Sequence, residues 1–152
     1  MNLKYIREYY ELKQNEVASI LGVTRSSYSL WETEINIIPL NRLITFCDYF
    51  NVSLDYALNL TKKEKYDNMK TGIDKPIHQK RIKRLRKENN FTQAALASKL
   101  HTDNGVISRY ESGKTLILTS FLIDYCKIFN ISADYLMGRI DEKIQIKEPI
   151  AN

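Results

Sequence analysis

Residues 3 to 59 lie over residues 82 to 138 at a constant offset of 79, with no gap in either segment. Seventeen of the 57 paired positions are identical, among them Arg7 with Arg86, Gln14 with Gln93, Ala18 with Ala97, Leu21 with Leu100, Ser29 with Ser108, Glu32 with Glu111 and Cys47 with Cys126. The stretch FNVSLDY returns as FNISADY. Whatever fold this segment adopts is therefore adopted twice. A period of 79 is too long for a solenoid unit and there are only two copies, so each copy reads as a complete small domain. The expected organisation is a first domain over 1–61, a linker over 62–79, a second domain over 80–140 and a tail over 141–152. Residues 62–79 are polar and charged and are interrupted by Gly72 and Pro76, which reads as a connector able to stretch to roughly 60 Å.

Within each copy the apolar residues recur at helical spacing, and no stretch sustains the alternation of a half-buried strand, so the expected class is all-α. In the first copy Leu3, Ile6 and Tyr10 mark one helix, and Val17, Ala18 and Leu21 mark a second that begins near Gln14. Gly22 permits a sharp turn, Thr24 is positioned as an N-cap, and Tyr28 and Trp31 give a third helix its inner face. Pro39 suits the start of a fourth helix, whose core side is Leu43, Phe46, Cys47 and Phe50. Ser53 then caps a short fifth, with Asp55 in its first turn. The second copy repeats the plan through Leu96, Ala97 and Leu100, then Ile107 and Tyr110, then Leu122, Tyr125 and Phe129, then Ser132 and Asp134. Asp103 there takes the capping place of Thr24.

The ordered set Gln14, Val17, Ala18, Leu21, Gly22, Ser29, Trp31, Glu32, Pro39, Ser53, Asp55, Tyr56 resembles the helix-turn-helix domains of phage lambda-type repressors and Xre-like bacterial regulators. So does Thr92, Gln93, Leu96, Ala97, Leu100, Ser108, Arg109, Tyr110, Glu111, Gly113, Ser132, Asp134, Tyr135 in the second copy. The resemblance implies two tandem five-helix lambda-repressor-like domains. It also implies a DNA-binding, repressor-like transcriptional regulator whose third helices, about residues 25–32 and 104–111, enter the major groove of double-stranded DNA. On this resemblance Gln14, Thr92 and Gln93 would stand at the phosphate backbone, and Arg7 with Glu32 and Arg86 with Glu111 would tie the first helix to the third as structural ion pairs.

The base-facing positions would be Arg25, Ser26 and Ser27, with Leu30 a turn on, and Asn104, Gly105, Val106 and Arg109 in the second copy. Arginine pairs bidentately with guanine and asparagine with adenine, so the two copies would read different bases. For Arg25 and Arg109 a base contact and a phosphate contact both remain open, and for Asn104 so does a local bond to its own backbone. Lys114 stands beside the glycine that follows the third helix, whereas the first copy departs from the family by carrying Glu34 there.

Charge divides unevenly. Residues 1–61 hold 5 Lys and Arg against 7 Asp and Glu, whereas residues 80–140 hold 11 against 5. A polyanionic partner is thus expected to be met mainly by the second copy, which opens with KRIKRLRK where the first has MNLKYIRE. That asymmetry sustains a second reading, an antitoxin-like or anti-repressor-like protein in which the first domain binds a second chain or a protein partner and only the second touches DNA.

No apolar run approaches the roughly 20 residues of a membrane span and MNLKYIREYY does not resemble a signal peptide, so a cytoplasmic protein is expected. Cys47 and Cys126 each lie in an apolar helical stretch and read as core residues, not as a disulfide. His78 in the connector and His101 in a turn are expected to be solvated. Paired loop carboxylates, a glycine-rich phosphate loop and ligand-spaced histidines are all missing from the sequence. No enzyme activity, metal, cofactor or small-molecule ligand is therefore expected.

Overall fold

The computed structural model describes residues 1–147, which are helical with no strand among them. It divides into two compact units, Met1–Gly72 and Ile73 onward, called domain 1 and domain 2 below. Domain 1 holds α1 (Leu3–Tyr9), α2 (Gln14–Leu21), α3 (Arg25–Glu32), α4 (Leu40–Phe50) and α5 (Leu54–Ala57). Domain 2 holds α6 (Lys75–Glu88), α7 (Gln93–Lys99), α8 (Asn104–Ser112), α9 (Thr119–Phe129) and α10 (Ala133–Leu136).

The helix starts follow from local chemistry. Thr24 accepts the Ser27 amide at 3.2 Å, Asp103 that of Val106 at 3.1 Å, and Thr92 that of Ala95 at 3.0 Å. Ser53 and Ser132 do the same for Tyr56 and Tyr135. Each such bond satisfies one of the amides that a helix start leaves without a partner. At the start of α2, Lys13 offers no acceptor, and the Glu16 carboxylate instead reaches back to the Lys13 amide at 3.0 Å. Gly22 then ends α2 in the left-handed conformation, and Arg42 donates to the Leu21 carbonyl at 2.8 Å.

The two cores are built from matching positions. Val17, Ala18, Leu21, Tyr28, Trp31, Leu43, Phe46, Cys47 and Phe50 are buried in domain 1, and Leu96, Ala97, Leu100, Ile107, Tyr110, Leu122, Tyr125 and Cys126 in domain 2. Cys47 and Cys126 are both buried as thiols and are not joined in a disulfide. Ala18 and Ala97 are 2% exposed where α2 meets α3 and α7 meets α8, and a small side chain there lets the paired helices cross closely. Two expected core positions differ. Tyr10 lies just past the end of α1 and is 45% exposed, its ring tilted against Phe50 rather than entering the core, and Phe129 is only half-buried.

The expected connector over 62–79 is taken up by the two domains. On the domain 1 side the Ser53 amide donates to the Glu64 carbonyl at 2.6 Å, the Tyr66 hydroxyl donates to Asp55 Oδ2 at 2.8 Å, and the Gly72 amide donates to Asp48 Oδ2 at 2.8 Å. Past Gly72, Asp74 caps α6 by accepting the Ile77 amide, so residues 75–79 are the first turn and a half of a helix. His78 is consequently buried at 3% exposure with Nδ1 2.8 Å from the Leu136 carbonyl, where solvation was expected. Burial drives its pKa below the ordinary value, and the Leu136 bond offsets this only in part. His101 is exposed, as expected. The tail shows a matching return, since the Ser132 amide donates to the Ile144 carbonyl at 2.9 Å just as Ser53 does to Glu64.

Asp55 and Asp134 are both fully buried, so their part exceeds a favourable charge in a first helical turn. Asp134 accepts from Arg139 Nε at 3.1 Å in an ion pair with both side chains fully buried. In domain 1 the position matching Arg139 is Leu60, and the Tyr66 hydroxyl serves Asp55 instead. A buried carboxylate must find a donor, and the two domains recruit different ones.

Candidate nucleic-acid interface

In each domain the helix after the turn presents its first turn to solvent. Arg25 and Ser26 on α3 are exposed, as are Asn104, Ser108 and Arg109 on α8. The opposite sides of these helices are anchored by Tyr28 and Trp31, and by Ile107 and Tyr110, so the exposed face is fixed in orientation by the core behind it.

A second anchor is electrostatic. Arg7 Nε and Nη2 meet the two carboxylate oxygens of Glu32 at 2.7 and 2.9 Å, and Arg86 meets Glu111 in the same fork at 2.7 and 2.8 Å. The third direction of each guanidinium is also used, with Nη1 donating to the Leu12 and Phe91 carbonyls at 2.8 Å. The bidentate geometry suits a planar guanidinium and leaves little of either charge unpaired. Burial pushes the Glu32 pKa up, but the hydrogen bonds from Arg7 and Gln14 and the charge of Arg7 outweigh it, and the net shift is downward. Hydrogen bonding to the carboxylates raises both arginines. These pairs tie α1 to α3 and α6 to α8.

Gln14 donates its side-chain amide to Glu32 at 3.1 Å, and Gln93 reaches Glu111 at 3.4 Å. Each stands at the first position of α2 or α7 and gives one N–H of its side-chain amide to the ion pair, the second N–H of the same NH2 group being a further donor. Thr92, also expected at the backbone, caps α7 through its hydroxyl oxygen. Ser27 is half-buried and its hydroxyl accepts from Thr24 at 3.0 Å, so it belongs to the cap as much as to the outer face.

Gly105 supplies something the sequence did not disclose. A Cβ placed there would lie 3.2 Å from Arg109 Nη1 and 3.0 Å from Asp103 Oδ1, so glycine leaves both groups uncrowded over the first turn of α8, where a side chain would make them shift by a few tenths of an ångström. The position matching Arg109 in domain 1 is Leu30, half-buried and neutral.

The loops after α3 and α8 diverge most. Gly113 takes φ +76°, a left-handed backbone that favours glycine, and a Cβ on it would only have to displace the flexible end of the Gln79 side chain. Glu34 holds the matching backbone at φ +58°, a conformation costly for a residue with a side chain, and its carboxylate lies 3.4 Å from the Met1 ammonium. Beyond it Ile35 is 72% exposed where domain 2 has the exposed Lys114.

The exposed face of α6 carries Lys80, Lys83, Arg84 and Lys87, spaced so that all four lie on one side of the helix. The matching positions on α1 are Met1, Lys4, Tyr5 and Glu8. No group of His, Cys, Asp and Glu able to hold a metal ion occurs among the described residues. No helix among them is long and apolar enough to cross a membrane.

Comparison with known proteins agrees with this geometry. Residues 3–56 match the family described as helix-turn-helix, and residues 79–142 match a second described as a helix-turn-helix domain. Three similar proteins come from Bacillus subtilis (strain 168). The uncharacterized HTH-type transcriptional regulator YobD is 33% identical over 81 residues, covering 50% of this chain and 72% of YobD. The HTH-type transcriptional regulator ImmR is 35% identical over 60 residues, covering 40% of this chain and 47% of ImmR. The uncharacterized HTH-type transcriptional regulator YqaE is 34% identical over 77 residues, covering 49% of this chain and 66% of YqaE. No solved structure matches. The chain thus carries two helix-turn-helix domains in tandem, the class of a DNA-binding transcriptional regulator. It belongs to the Xre-like helix-turn-helix family.

Proposed function

We propose that the chain is a sequence-specific regulator of repressor type that binds double-stranded DNA through α3 and α8, with domain 2 supplying most of the affinity. The observation that carries this reading is the pair of exposed outer faces of α3 and α8, each held by a buried arginine–glutamate fork yet furnished with unlike side chains: Arg25 and Ser26 in one, Asn104 and Arg109 in the other. Rigid placement with divergent contact residues suits two readers of different half-sites, and the recognised sequence is then asymmetric rather than palindromic.

In this reading Arg25, Asn104 and Arg109 reach base edges. Ser26 and Ser27 line the groove, and Gln14, Thr92, Gln93 and Lys114 stand at the phosphates. Regulation comes from occupancy of the site. The protein acts in the cytoplasm, where its DNA partner is, and is not an enzyme.

A second reading makes domain 1 an interaction module, and one observation favours it: Tyr5, Tyr9, Tyr10 and Tyr49 are all exposed on domain 1. Selection of bound duplexes from a random pool, followed by footprinting, separates the two. Two-domain readout predicts enriched sequences with two unlike half-sites and a footprint spanning successive major grooves, about 34 Å apart. An enriched site no longer than a single half-site would assign domain 1 to protein contact. Failure to enrich any sequence would refute specific binding.

A further inference from the structure

The four exposed tyrosines form one surface. Tyr5 and Tyr9 are 61% and 70% exposed on adjacent turns of α1, Tyr9 meets Tyr10 edge-on at 5.2 Å, Tyr10 packs on Phe50 at 5.1 Å, and Tyr49 packs on the same Phe50 at 5.0 Å. A shallow groove between Tyr5, Tyr9, Tyr10, Val52 and Tyr56 runs through the patch. The fold does not need these rings, because domain 2 places Arg84, Glu88, Asn89 and Ile128 at the four matching positions on the same framework. Exposed tyrosines in such a cluster are the residue type enriched in protein interfaces and depleted elsewhere on surfaces.

Charge identifies the occupant. Lys4 and Glu8 sit one turn apart beside the tyrosines, exposed on α1 and 4.0 Å from each other. When two copies of a helix pack antiparallel about a two-fold axis, a residue near one end faces a residue near the other end of its mate. Lys4 of each copy then faces Glu8 of the other while Tyr5 faces Tyr9, so the surface is complementary to itself. The equivalent face of α6, with Lys80, Lys83, Arg84 and Lys87, would repel its own copy.

We propose that domain 1 pairs with domain 1 of a second copy of this chain, α1 against α1 antiparallel, through Tyr5, Tyr9, Tyr10 and Tyr49 with reciprocal Lys4–Glu8 contacts. Each ring leaves roughly half or more of about 200 Å² open, so covering all four in both copies buries about 900 Å². That lies below the usual size of a stable interface, and the dimer is accordingly weak, forming in the micromolar range. The proposal rests on the second reading above, in which domain 1 serves protein contact, and deepens it by naming the partner.

The test uses the full chain without DNA, so its outcome is independent of whether any operator is bound. Sedimentation equilibrium from about 1 to 100 μM should show a reversible passage from the 17.8 kDa monomer to twice that mass. Lys4→Glu and Glu8→Lys should each move the midpoint at least about tenfold higher, because each single change sets like charges against each other in both reciprocal contacts. An equal mixture of the two variants should dimerise again, since every contact between the unlike chains then joins one acidic and one basic side chain. Grafting the domain 2 residues, Tyr5→Arg, Tyr9→Glu, Tyr10→Asn and Tyr49→Ile, should leave a monomer whose circular dichroism spectrum is that of the parent. A parent that stays monomeric at 100 μM, a grafted chain that still dimerises, or a mixture no better than its single components would each overturn the proposal.

Discussion

Removing Glu111 tests how the recognition helix of domain 2 is held. Its side chain is 4% exposed and that of Arg86 is 8%, and the two share hydrogen bonds of 2.7 and 2.8 Å. Glu111→Leu leaves a buried guanidinium with only the Phe91 carbonyl to bond, and stranding one member of such a pair costs about 3–5 kcal/mol. The 75 described residues of domain 2 carry a total stability of about 4–11 kcal/mol at the usual yield per residue, so the single substitution brings the domain to the edge of unfolding. Arg86→Met combined with Glu111→Leu removes both charges and should cost far less than the single changes together. Urea unfolding measures this, and the chain offers an internal control. Its one tryptophan, Trp31, lies in domain 1, so fluorescence follows domain 1 while circular dichroism follows both. With a urea slope of about 1 kcal/mol/M for so small a domain, the ellipticity transition of domain 2 should fall by about 3 M or more while the fluorescence transition stays in place. A single-variant loss under about 1 kcal/mol, or a double variant as unstable as the sum of the singles, would refute the reasoning.

Three further outcomes follow from the same structure. Arg25→Ala and Arg109→Ala should each cost about 1–3 kcal/mol on the selected duplex and much less on random DNA, measured by fluorescence anisotropy; equal losses on both would make that arginine a phosphate contact. Trp31→Ala empties a site only 8% exposed and should destabilise domain 1 by about 3–5 kcal/mol, read as loss of the first ellipticity transition, and an unchanged melt would contradict its core role. Because burial holds the His78 pKa below its usual value of about 6.5, the folded domain keeps a neutral ring that the unfolded chain protonates. The stability this contributes is complete above that pH and is lost as pH falls toward the folded pKa, so domain 2 should melt progressively lower from pH 7 to 5. The Trp31 transition of domain 1, which contains no histidine, should not move until the lower range where Glu32 is protonated, and His78→Gln should flatten the domain 2 trend.

The repeat, the helix order and most caps could be read directly from residue spacing, because the N-cap side chains of Thr24, Ser53, Asp103 and Ser132 act on amides only three positions away, whereas Thr92, expected at the phosphate backbone, proves to cap α7 in the same way. What escaped depends on long-range contact. The stretch 62–79 has connector composition, yet Asp74 and Pro76 are an N-cap and a first-turn proline, a helix start that the expectation of a flexible segment concealed. His78 is buried because α6 begins there and packs toward Leu136, 58 residues away. Tyr66 and Arg139, which donate to Asp55 and Asp134, lie beyond the last position where the two copies align, so matching one copy to the other could not find these contacts. At the interface, spacing located the outward positions of α3 and α8 but not the contacts that hold them. The commitment of Gln14 and Gln93 to the ion pairs, and the room that Gly105 leaves for Arg109, exist only once the helices are packed.

If this chain binds duplex DNA with domain 2 carrying most of the electrostatic contact, the salt dependence of binding must follow domain 2. Each neutralised phosphate contributes a slope of about −0.9 to the logarithmic plot of affinity against salt. The division at Gly72 sets the fragments to compare, residues 1–72 and 73–152, against the intact chain on the selected duplex. Residues 80–140 hold 11 Lys and Arg against 5 Asp and Glu, and residues 1–61 hold 5 against 7. Fragment 73–152 should therefore retain most of the intact chain's slope and bind measurably, while fragment 1–72 should show no detectable binding at physiological salt. A fragment 1–72 that binds more tightly than 73–152, or an intact chain whose affinity does not respond to salt, would show that domain 2 does not carry the electrostatic contact.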